Sequence, residues 1–171
     1  HYFEPLISGG TTSNHSEEEI NTILERIGNA NNAYTSRGHT AFYITTTPEH
    51  LQEAINLYAD WMKNCTFPKS EFTREKGVIA EEISKGKEEP NRILQKTLYQ
   101  TMFREHPARY PVIGYEELFQ KISRQDIIDY YNQRYAPNNM VVSIVGDIDA
   151  QKAREHVEQA FRNFERRSVD L

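Results

Sequence analysis

Apolar residues recur every three to four positions in several stretches of the chain, and each such stretch predicts a helix with one buried face. Ile20, Ile23, Leu24 and Ile27 form the first stripe. It opens on Ser16 and Glu19, a capping box in which each residue satisfies the other's backbone, and it stops at Gly28. Thr47-Pro48 starts a second helix, with Leu51, Ile55, Tyr58 and Met62 on its inner side. A long helical region follows from Ser70 to Arg104, and Pro90 must break or kink it, because proline has no N–H to donate one turn back. Ser123 and Asp126 cap a short helix carrying Ile127, Ile128 and Tyr131. The last helix spans Ala150 to Phe164, with Ala153, Val157, Ala160 and Phe161 facing inward. Two segments have strand character instead. Thr40 to Thr46 is β-branched and aromatic. Met140 to Val145 is almost uninterruptedly apolar, which predicts a strand buried on both faces between the turn at Tyr135–Asn139 and the stop at Gly146-Asp147. Helices and strands mixed in this way predict an α+β or α/β domain.

Composition narrows the class. At 171 residues the chain fits a single domain with room for a proper core. A formal charge of −5 with no basic stretch argues against a nucleic-acid partner. No apolar run approaches the length of a membrane span. The one cysteine, Cys65, has no internal disulfide partner and reads as a small apolar filler.

The chain opens His1-Tyr2-Phe3-Glu4-Pro5, one residue short of His-x-x-Glu-His, the inverted zinc-binding motif. In that motif two histidines one helical turn apart hold the metal and the glutamate activates a water. Alone, His1 and Glu4 read more simply as surface residues. Further on, Glu75 and Glu82 are seven residues apart, two helical turns, so they project from one face. A solvated charged face is the plainer account of that pair taken alone. The chemistry becomes coherent if the two elements meet. Catalytic zinc takes three protein ligands and leaves a position open for water. His1 and Glu82 supply two, Glu75 supports from behind, and Glu4 takes the water's proton. The third ligand position falls on Pro5, which has no donor.

These residues resemble the pitrilysin/insulinase family of zinc metallopeptidases, which includes the mitochondrial processing peptidases. The resemblance rests on the motif helix and on Glu82, which stands 77 residues after position 5 with Glu75 seven before it. It extends to Asn32-Ala33-Tyr34-Thr35, followed by Thr40-Ala41-Phe42-Tyr43, and to His106-Pro107, Pro111 and Gly114. Tyr135-Ala136-Pro137-Asn138-Asn139-Met140 and Val145-Gly146-Asp147 match the family's closing segment. The resemblance implies an α+β domain built as a two-layer α/β roll, with residues 1–171 forming one domain whose first strands lie ahead of His1. It implies a homologous domain or subunit as partner, in the same chain or a separate one, and an extended peptide as substrate. Asn32, Ala33, Thr35, Phe42 and Tyr43 would line that peptide. The cofactor implied is Zn2+, held weakly or not at all in this chain.

Two departures shape the functional expectation. Pro5 replaces the second histidine, and Gly38 stands where many relatives carry a glutamate beside the substrate strand. Loss of a residue that merely supports a metal ligand costs about 10–100-fold in affinity or activity, and loss of a ligand should cost more. His39 and His15 are the candidates to substitute. The expected protein is therefore a peptidase-family domain with a degraded zinc site, serving as the non-catalytic half beside a catalytic partner. An edge strand at Phe42 to Thr46 would contribute a peptide-binding wall. The alternatives are an active zinc metalloendopeptidase with an altered ligand set, and a structural subunit like the core proteins of a respiratory complex.

Overall fold

The structure is a computed structural model and describes residues 1–28 and 30–169. Eight α-helices pack with one antiparallel hairpin, among the described residues, in an α+β arrangement. The helices are α1 (Phe3–Ile7), α2 (Glu17–Arg26), α3 (Leu51–Asn64), α4 (Lys69–Gly86), α5 (Pro90–Met102), α6 (Glu116–Phe119), α7 (Arg124–Arg134) and α8 (Ala150–Ala160). The strands are β1 (Ala30–Thr35) and β2 (Thr40–Thr45), paired so that Asn32 opposes Tyr43 and Ala33 opposes Phe42. None of the helices is long and apolar enough to cross a membrane, among the described residues.

Local chemistry sets most of these boundaries. Ser16 and Glu19 form the capping box of α2, and Ser123 and Asp126 form that of α7. Past the end of α2, Gly28 turns the chain at φ +118°, a conformation that glycine adopts without strain. Pro90 splits the long helical region cleanly. It occupies the first position of α5, where its missing N–H is one that no helix would satisfy.

The core draws its residues from α1, α2, α3, α4, α6 and α7. Ile7, Ile20 and Trp61 are fully excluded from solvent, with Leu6 and Phe67 nearly so. An aromatic cluster continues it: Phe67 lies edge-on to Tyr131, which stacks on Tyr135, and Phe3 contacts Phe67, Tyr130 and Tyr135. The Tyr131 hydroxyl donates to the Trp61 carbonyl at 2.7 Å, so its polar end is satisfied inside. On α3, Ile55 and Met62 are buried as the pattern predicts, while Leu51 and Tyr58 are only half-buried. Lys63 ties α3 to the end of α8 by donating to the Ala160 carbonyl at 3.0 Å.

Two expectations change. Met140 to Val145 is not a strand, and Val141 and Val145 are 95% and 94% exposed. A buried strand needs neighbours for its backbone ladder, and β1 and β2 pair only with each other among the described residues. Met140 alone of that segment packs against the core. The last helix stops at Ala160, four residues before Phe164. Asn32 to Thr35 lie within β1, ahead of β2.

Candidate functional site

His1, Glu4 and Glu82 meet as the sequence predicts. His1 Nδ1 lies 2.8 Å from Glu4 Oε1, and His1 Nε2 lies 2.9 Å from Glu82 Oε2. One imidazole therefore bridges the start of α1 to the C-terminal part of α4. All three side chains are shielded, Glu4 most and Glu82 least. Burial by itself would lower the pKa of the His1 ring. The hydrogen bonds and charges of Glu82 and Glu4 outweigh it and hold the ring above its ordinary value.

Glu75 takes a different place. Its Oε1 accepts from Arg74 Nε at 2.8 Å, and its charge acts on the neighbouring Tyr2 hydroxyl. It is not bonded to His1, Glu4 or Glu82 among the described residues. Arg92, which sequence reasoning passed over, lies with Nη1 3.5 Å from Glu82 Oε1 while its Nε pairs with Glu89 at 2.7 Å. Nothing in the sequence marks this arginine; only the turn before Pro90 brings Arg92, at the start of α5, within reach of Glu82. Glu71, one turn before Glu75, was also missed. It is buried and accepts from the Thr11 N–H and hydroxyl, fixing the loop that leaves α1.

That loop is tightly built. Gly9 adopts φ +97°, and a Cβ on Gly10 would sit 2.0 Å from the Leu6 carbonyl oxygen. The backbone therefore passes α1 at a distance that only glycine allows. Asn31 donates from its side chain to Ser8 Oγ at 3.2 Å, which ties the hairpin to the same loop.

On the hairpin, Phe42 packs inward against Tyr135, whereas Tyr43 and Tyr34 stand about half-exposed on the opposite side. Asn32 accepts from the adjacent Ala33 N–H at 2.8 Å, and the Thr35 and Thr40 hydroxyls meet at 3.2 Å across the first pair. A Cβ at Gly38 would meet nothing within 4 Å, so position 38 faces open solvent.

The residues present do not complete a zinc site. Zinc at a catalytic centre takes three protein ligands; here His1 and Glu82 converge, and position 5 offers none. His15 is engaged by Asp60 at 3.1 Å, and His39 by Ser36 and Tyr34 at the hairpin tip. Among the described residues no group of three or more His, Cys, Asp or Glu side chains is arranged to hold a metal ion.

A histidine and a glutamate at the start of α1 thus meet a glutamate on α4, with the antiparallel hairpin tied to the loop after α1. Residues 1–116 match the profile described as insulinase (peptidase family M16), and residues 121–170 match the peptidase M16 inactive domain. The chain belongs to the M16 peptidase family. It is 30% identical to an uncharacterized zinc protease of Bacillus subtilis over 96% of its own length and 40% of that protein's. It is 25% identical to the mitochondrial-processing peptidase subunit beta of Dictyostelium discoideum, over 99% of this chain and 36% of that one. A protease of Helicobacter pylori shares the fold with a TM-score of 0.92 and 28% identity, over the whole chain and 41% of the neighbour. The chain thus spans about two fifths of the length of the zinc proteases it matches.

Proposed function

We propose that this chain is one domain of the non-catalytic half of a two-part M16 peptidase, and that it supports proteolysis by a homologous partner. The observation that carries the reading is Pro5. It stands one turn from His1, where a metal ligand is needed, and it offers no donor atom. Zinc is then held weakly or not at all in this chain, so Glu4 has no metal-bound water to deprotonate. Neither His15 nor His39 supports a rescue, since each is engaged elsewhere. What remains useful is the hairpin. Its backbone can add an extended peptide by strand pairing, with Asn32, Ala33, Thr35, Phe42 and Tyr43 beneath or beside it. The match of the C-terminal third to the inactive-domain profile supports the same reading.

The test is zinc content by elemental analysis after exhaustive dialysis, with the protein and Pro5→His side by side, followed by peptide cleavage with and without chelator. Only Pro5→His should retain about one zinc, as a site needing three protein ligands requires. If the unmodified protein holds one zinc and cleaves peptides in a chelator-sensitive way, the non-catalytic reading is wrong.

A further inference from the structure

At the tip of the hairpin, a surface cavity of about 220 Å3 opens between the β1–β2 turn and the segment after α5. Ser36, Arg37, His106, Ala108, Tyr110 and Val112 are among its lining residues, and no carboxylate lines it. We propose that this cavity is a carboxylate-binding subsite, which takes an acidic side chain or the C-terminal carboxylate of an extended peptide laid on the hairpin. The proposal rests on the peptide-binding reading above and adds what the peptide must carry.

The cavity is preorganised for such a group. The Arg37 guanidinium lies 3.5 Å over the Tyr99 ring, and its Nε donates to the Ala108 carbonyl at 3.1 Å. One face and one N–H are thereby fixed, and the remaining N–H groups form the fork that suits a carboxylate. Arg37 forms no ion pair among the described residues, so its charge is not already neutralised. His106 adds a second donor. Its Nδ1 accepts from the Ala108 N–H at 3.1 Å, which leaves the ring proton of the neutral form on Nε2. The tip is thus cationic with no acid of its own. A volume of this size is below that of a drug-sized pocket and suits one small polar group.

Position favours a peptide over a free anion. Thr35 is both the last residue of β1 and part of the cavity wall, so a strand added to the hairpin ends beside it. Backbone pairing then supplies affinity while the pocket selects, the usual division in strand addition.

The experiment measures fluorescence anisotropy of three labelled extended peptides near pH 7. One is neutral with an amidated C-terminus, one has a free C-terminus, and one is amidated but carries a glutamate at its end. At least one carboxylate should tighten binding about tenfold, the worth of one charge-assisted hydrogen bond, and the peptide that shows the gain identifies the source. Arg37→Gln should remove the gain and leave the neutral peptide's affinity unchanged. Gly38→Glu, at a position with open space for a side chain, should do the same by supplying a competing carboxylate. Equal binding of all three peptides overturns the subsite while leaving the peptide-binding wall intact. A gain that survives both substitutions also overturns it. No binding of any peptide overturns both readings.

Discussion

Asp60 is the buried charge whose removal should be felt most. It sits on α3 with 7% exposure and accepts four hydrogen bonds. Oδ1 receives Asn14 Nδ2 at 2.5 Å and Asn64 Nδ2 at 2.7 Å; Oδ2 receives Thr12 Oγ1 at 2.6 Å and His15 Nδ1 at 3.1 Å. Asp60→Asn keeps the shape but leaves one oxygen for two pairs of donors. Whichever way the amide turns, two donors face an NH2 group. Each donor stranded in the interior costs about 1–3 kcal/mol. Asn14 is exposed and can turn to water, so the amide should favour the Thr12 and His15 side, with a net loss of about 2 kcal/mol. Urea unfolding near pH 7 reads this directly. The pH dependence supplies an independent check. Burial raises the Asp60 pKa, but the bonds from Thr12, Asn64, His15 and Asn14 more than reverse it and leave the carboxyl below its usual range. A lowered folded-state pKa means stability that is fully present above the unfolded value and lost as pH falls through the folded value. The gap between the native protein and Asp60→Asn should therefore narrow on acidification through and below the ordinary carboxylate range. A loss under about 0.5 kcal/mol near pH 7, the range of an ordinary surface substitution, or a gap that widens in acid, would show that the four bonds do not stabilise the fold.

Two pairs of substitutions test the backbone and the exposed apolar segment. Gly10→Ala places a Cβ 2.0 Å from the Leu6 carbonyl oxygen, and the α1 exit loop must shift, with an expected loss of about 3 kcal/mol in thermal unfolding. Gly77→Ala, mid-helix in α4 with nothing within 4 Å, should instead gain about 0.5–1 kcal/mol; equal effects at the two sites would refute the geometric distinction. Val141→Thr and Val145→Thr should each change stability by less than about 0.5 kcal/mol, because both side chains are almost wholly exposed. A larger loss in chemical unfolding would place that segment in a packed layer.

Local signals carried furthest in reading this sequence. The capping boxes at Ser16 and Ser123, and the break at Pro90, are decided within a few residues, and each appears where the sequence puts it. The meeting of His1 with Glu82 spans 81 residues and is legible only through the family resemblance, which implies a glutamate 77 residues after position 5. Signals that depend on an unknown neighbour failed. Met140 to Val145 has the composition of a buried strand, but composition does not say what pairs with it. Trp61 is fully buried and was not singled out, because the helical stripe drawn through Leu51, Ile55, Tyr58 and Met62 ran beside it. Arg92 and Asp60 act through partners brought by turns and loops, which hydrophobic periodicity does not encode.

Pro5 separates the chemistry of the site from its architecture. In α1 it is the third helical residue, within the first turn, where the backbone N–H would have no partner inside the helix. Its fixed φ suits a helix start, and Leu6 and Ile7 immediately after it are buried against the core. Proline at this position therefore offers no donor atom and does not dislodge the helix. His1 reaches both Glu4 and Glu82, so the start of α1 and α4 are cross-linked through an imidazole. The hairpin is tied to the same frame through Asn31 and Ser8 and keeps its place beside it. The missing donor atom and the intact helix are thus separate consequences of one residue, and Pro5→His would change the first without the second.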